Sequence, residues 1–79
     1  MSADDELDAR GLLCPLPVLK ARKRLAGLSS GQLLLVIADD PAAVVDIPHF
    51  CTEQGHTLVE TRDRGTDGQL YLIRKGDRR

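Results

Sequence analysis

Apolar positions alternate with polar ones near both ends of the chain and recur at helical spacing in two stretches between. Glu6 to Gly11 reads as a short first strand, with Leu7 and Ala9 on one face. Cys14-Pro15-Leu16-Pro17 then opens a helix to about Leu28, in which Val18, Ala21, Leu25 and Leu28 form an apolar stripe and Lys20, Lys23 and Arg24 point the other way. Ser29-Ser30-Gly31 ends it. Gln32 to Ala38 is apolar almost without interruption, as a central strand is. Asp39-Asp40-Pro41 signals a second helix, with Asp as cap and Pro at the first helical position. That helix runs to about Gln54, where Gly55 suits its stop. Pro48 removes one backbone bond and is expected to bend or split it. His56 to Asp63 and Gln69 to Lys75 alternate as strands, and the glycine-bearing turn Arg64 to Gly68 makes them a hairpin. The order βαβαββ predicts an α/β (α+β) two-layer sandwich, a mixed four-stranded sheet with both helices on one face. Strands joined through helices are expected to run parallel with right-handed crossovers.

Length confines these elements to one domain, residues 1–79, with an ordered core over about 6–76 and loose ends at 1–4 and 76–79. A chain this short buries about 60–65% of its unfolded surface, too little for a deep enclosed cavity. Such a protein works by presenting a residue to a partner. A net charge of -1 argues against nucleic acid, which needs clustered excess cations. Phe50 and Tyr71 are the only aromatics, so no base-stacking platform exists. The acidic start from Met1 to Asp8 lacks the features of a signal peptide, and no apolar run approaches the roughly 18 residues of a membrane span. A cytoplasmic location is expected, where a disulfide between Cys14 and Cys51 is out of place. Without a Cys-x-x-Cys pair, the two cysteines make a poor metal site.

The candidate chemistry centres on Cys14. Pro15 pushes it out of the helical region, as an N-cap requires, and then fills the first helical position. Pro17 lies in the same turn, where N–H groups lack partners anyway. The sulfur is then expected at the positive end of the helix dipole with the free Leu16 N–H pointing at it, and both favour the thiolate. Cys51 shares a helical face with Val44 and Ile47 and reads as a packed core cysteine. His49 and His56 have no spacing link to Cys14. Asp39 and Asp40 read as caps rather than as a working carboxylate pair. Lys20 to Arg24 reads first as a solvated face, with a docking surface for an acidic partner as the alternative.

Leu7-Asp8-Ala9-Arg10-Gly11 followed by Cys14-Pro15-Leu16-Pro17 resembles the Cys-Pro-x-Pro signature of the TusA/SirA/YedF-like sulfur carriers. Asp39-Asp40-Pro41-Ala42, Asp46-Ile47-Pro48, Phe50-Cys51 and Tyr71 to Gly76 are similar to later segments of the TusA branch. The likeness spans about Glu6 to Gly76. It implies the two-layer sandwich related to the C-terminal domain of translation initiation factor 3, with Cys14 as the persulfide-bearing residue. It implies a pyridoxal-phosphate cysteine desulfurase as donor and a DsrE-like (TusD-like) protein as acceptor, feeding 2-thiouridine synthesis in tRNA. Relatives also serve sulfur oxidation and molybdenum-cofactor assembly. The family's carriers hold no metal and no bound cofactor beyond the transient persulfide. The chain is then a monomeric relay rather than a free-standing enzyme. Around Cys14, the residues Leu12, Leu13, Pro15, Leu16 and Pro17 are the expected contacts for partners. A thiol-redox enzyme using Cys14 with Cys51, and a non-catalytic interaction module, are the competing readings.

Overall fold

The computed structural model describes residues 2–77, so Met1 and the last two residues of the expected loose ends lie outside it. Seven segments follow in order: β1 (Asp5–Asp8), α1 (Leu16–Ala26), β2 (Leu33–Ala38), α2 (Ala43–Gln54), β3 (Thr57–Asp63), a short 3-10 turn (Gly65–Asp67) and β4 (Gln69–Arg74). The sheet order is β1-β2-β4-β3. β1 pairs with β2 in parallel, and β4 is antiparallel to both β2 and β3. β2 and β3 therefore run in the same sense, as their helical connection predicts, but β4 lies between them. The chain is a four-stranded mixed sheet with two helices in βαβαββ order.

Side-chain alternation explains why β2 reads as apolar throughout. Leu34, Val36 and Ala38 face both helices and join Leu7, Ala21, Leu25, Ile47, Phe50, Cys51, Tyr71 and Ile73 in the main core. Leu35 faces the opposite side and packs with Leu70 and Leu72, supported by Ala3, Leu33 and Ile37. One strand thus serves two apolar layers.

Several boundaries differ from their sequence expectations for identifiable reasons. Asp4, expected in the frayed start, is tied to β2: its N–H donates to the Leu33 carbonyl at 2.9 Å, and its carboxylate accepts the Leu33 N–H at 2.8 Å. α1 begins at Leu16, with Pro15 at the cap and Pro17 inside the first turn, so Cys14 precedes the cap instead of forming it. α1 closes at Ala26, where Gly27 turns its N–H back onto the last carbonyls. α2 continues unbroken through Pro48. Only one backbone bond is lost there, and the buried face of Ala43, Ile47, Phe50 and Cys51 holds the helix against the sheet. Gly55 ends α2 in the left-handed conformation at φ 75°, a backbone state glycine adopts without a Cβ penalty. β3 carries a bulge: Leu58 pairs with Ile73 and Glu60 with Leu72, leaving Val59 unpaired and exposed.

Gly76 is tied in as well, because its N–H donates to Nδ1 of His56 at 3.0 Å. That bond requires an unprotonated Nδ1. Desolvation, and then the nearby Lys75 charge, pull the His56 pKa below its ordinary 6.5. A histidine with a depressed folded pKa adds stability above its unfolded pKa and loses it as pH falls through that window. Urea midpoints measured downward from pH 6.5 are expected to fall more steeply for the wild type than for His56→Gln, in which this group no longer titrates.

Candidate functional site

Parallel pairing of β1 and β2 brings two connections to one end of the sheet. The first, Ala9 to Pro15, leaves β1 after the Ala9 N–H has bonded the Ile37 carbonyl at 2.7 Å. It turns at Gly11, whose φ is 81°. The second, Asp39 to Ala42, leaves β2 beside it. Asp39 accepts the Gly11 N–H at 2.9 Å, and Asp40 accepts the Cys14 N–H at 2.6 Å. The other oxygen of Asp40 accepts the Ala42 N–H at 3.2 Å, so this carboxylate also secures the turn leading into α2. Neither aspartate caps α2 as the sequence suggests: the helix starts at Ala43 with Ala42 at its cap, and Pro41 stands before it. Upstream, Asp8 accepts hydrogen bonds from the Arg10 side chain and Arg10 N–H, which together lower its pKa to about 2.

Held this way, Cys14 is an exposed free thiol. It opens onto a shallow groove of about 350 Å³ between the start of α1 and one side of α2, lined by Pro15, Val18, Asp46, His49, Phe50 and Glu53 among others. Leu13 (70% exposed) and Leu16 (45% exposed) flank the sulfur as apolar contact surface. Pro15 is exposed beside them. Leu12 is half-buried and packs against the core, and Pro17 is buried in the first turn of α1, so both offer less surface than Leu13 and Leu16.

The electrostatics of the thiol reverse the sequence expectation. The Leu16 N–H donates to the Leu13 carbonyl at 2.8 Å and does not serve the sulfur. Neither Pro15 nor Pro17 has an N–H to offer. A hydrogen bond from the thiol to the Asp46 carboxylate raises the Cys14 pKa, with desolvation and the charges of Asp46 and Asp40 adding to it. A carboxylate bonded to the protonated form, with a second one near it, opposes the helix dipole. Both carboxylates therefore favour the protonated thiol over the thiolate.

The remaining candidates sort by place. Cys51 is buried in the core, where desolvation lifts its pKa to about 11, so it supplies no thiolate. His56 packs its ring against Phe50 with centroids 5.6 Å apart and accepts from Gly76, away from the groove. His49 does reach the groove, paired with Glu53 at 2.9 Å. Lys20, Lys23 and Arg24 border a separate open groove of about 700 Å³ with Arg10, Asp5 and Asp8. Asp46 is the residue that sequence reasoning missed. An acid in the first turn of a helix passes for a dipole partner, and only the position of α2 beside the first loop gives it another role. Among the described residues no group of three His, Cys, Asp or Glu is placed to hold a metal ion, and no helix is long and apolar enough to cross a membrane.

Comparison with known proteins places this architecture. A SirA-like protein from Desulfitobacterium hafniense has a similar structure, with a TM-score of 0.80 and 26% identity over 92% of this chain and 99% of that one. The family model described as sulfurtransferase TusA matches residues 5–75, from the first residue of β1 to one past the end of β4. The chain belongs to the TusA family of sulfurtransferases, small carriers that work with sulfur-transfer partner proteins.

Proposed function

We propose that this chain carries sulfur as a persulfide on Cys14, accepting it from a cysteine desulfurase and passing it to a DsrE-like protein for tRNA 2-thiouridine synthesis. The observation that supports this most is Cys14 itself, an exposed thiol on a loop tied down by Asp39 and Asp40 and flanked by exposed Leu13 and Leu16. Transfer between proteins needs a sulfur that two partners can reach in turn.

The reaction exchanges one sulfur–sulfur bond for another. The Cys14 sulfur attacks the terminal sulfur of the donor persulfide; the donor's S–S bond breaks and a new one forms at Sγ of Cys14. The departing donor thiolate takes up the proton that Cys14 gave up. An acceptor thiolate then attacks the outer sulfur, and Cys14 leaves with the electron pair of the broken bond. Oxidation states balance at each step, and no cofactor is needed. Exposed Leu13, Pro15 and Leu16 supply contact area around the sulfur. The exposed cations of α1 offer a surface for an acidic partner patch.

Incubation with a cysteine desulfurase and cysteine, followed by intact-mass measurement, is expected to add one reducible sulfur to the wild type and to Cys51→Ser but none to Cys14→Ser. Absence of the added sulfur from the wild type, with a competent desulfurase, rejects that donor. A two-thiol redox enzyme needs a second reactive cysteine, and the buried Cys51 does not supply one. Iodoacetamide is accordingly expected to modify Cys14 alone in the native protein, with Cys51 reacting only after denaturant is added. Equal labelling of both in the native state contradicts the packing described above.

A further inference from the structure

Among the described residues, the sulfur of Cys14 stands beside two carboxylates, and no Lys or Arg lines its groove. Asp46 on α2 lines the groove together with Cys14 and favours its protonated thiol, and Asp40 in the loop before α2 holds the Cys14 amide at 2.6 Å. Farther along the same groove lie His49 and Glu53, paired with each other. From α1 and its cap the groove receives Pro15 and Val18, neither of them charged. The basic residues Lys20, Lys23 and Arg24 border the other groove. Among the described residues, no Lys or Arg lines this groove to offset the negative field at the sulfur.

This matters because sulfur transfer runs through anions. A thiolate must form on Cys14 to take sulfur, and another must approach Cys14 to remove it. Both are opposed by carboxylates a few ångströms away. A cation brought in by the partner relieves both at once.

We propose that Asp46 and Asp40 make Cys14 a charge-selective thiol, open to partners whose reacting cysteine stands beside a cationic side chain and closed to anionic sulfur compounds. The proposal rests on the sulfur-carrier reading and names the partner chemistry it requires. In the free carrier the thiol keeps its proton. When a partner's Arg, Lys or protonated His pairs with Asp46, the hydrogen bond to the thiol is released. The proton then passes to the departing thiolate as the new S–S bond forms. Small anionic persulfides and disulfides meet two like charges and are turned away.

Small symmetrical disulfides test this with Cys14 alone. Cystamine, hydroxyethyl disulfide and dithiodipropionate bring a positive, a neutral and a negative group to the sulfur. Each exchange consumes one disulfide, leaves a mixed disulfide on Cys14 and releases one small thiol, so adduct mass gives the rate. Rates are divided by those of a free neutral thiol, N-acetylcysteinamide, under the same conditions. At low salt, cystamine is expected to exceed the neutral probe by roughly fourfold for each nearby carboxylate, and dithiodipropionate to fall short by a similar factor. High salt is expected to collapse the spread, and Asp46→Asn to narrow it at low salt. A wild type that ranks the three probes as the free thiol does overturns the proposal. So does a spread that persists in high salt, or in an Asp46→Asn protein with an unchanged far-UV spectrum. If Asp46→Asn does not fold, the salt series on the wild type decides. The probes contain no transferable persulfide sulfur, so a charge-blind Cys14 overturns the selectivity and leaves the desulfurase loading experiment to judge sulfur carriage.

Discussion

Because β1 and β2 run side by side in the same direction, both chain segments leave the sheet at the same end. The surroundings of Cys14 follow from that geometry. The connection into α1 and the connection into α2 become neighbours, and polar groups in one can satisfy backbone groups in the other. Asp40 does this most directly, taking the Cys14 N–H with one oxygen and the Ala42 N–H with the other. Backbone donors in a loop need partners wherever they are shielded from water. Here the partners come from the adjacent loop, so the sulfur's position is fixed by the sheet rather than by α1 alone. A crevice at the carboxyl ends of parallel strands is also where open α/β sheets generally place their chemistry.

A carrier makes a demand different from that of an enzyme with its own pocket. Its reactive group must be reachable by two proteins yet stay inert between them. Exposure of Cys14, Leu13 and Leu16 meets the first demand. Protonation favoured by Asp46 and Asp40 meets the second, since the thiolate is the reactive form. Both properties sit on a loop of a small domain whose cores are formed by other residues.

The fold was largely legible in the residues, because hydrophobic period reports element type directly. Val18, Ala21, Leu25 and Leu28 marked α1, and the unbroken run from Leu33 marked a strand with apolar neighbours on both faces. The position of Cys14 outside the helix was legible too, through the prolines that follow it. What was not legible was its electrostatic state. Local reasoning gave the sulfur a helix dipole and a free Leu16 N–H. The chain instead spent that N–H on Leu13 and brought Asp46 in from the second helix. Contacts between residues far apart in sequence carry no period. Pro48 taught the reverse lesson, since a local rule predicted a break that packing of Ile47, Phe50 and Cys51 overrides. The placement of β4 between β2 and β3 likewise lies beyond any local pattern.

The bulge at Val59 has a consequence for association. A sheet with free edges invites other strands to add to it. One edge here is β1, only four residues long, three of them acidic. The other is β3, where the bulge displaces Val59 from the ladder and the Glu60–Arg62 ion pair lies just beyond it. Short length, charge and a kinked ladder each discourage strand addition. Chains of this protein therefore have poor means of joining edge to edge at high concentration.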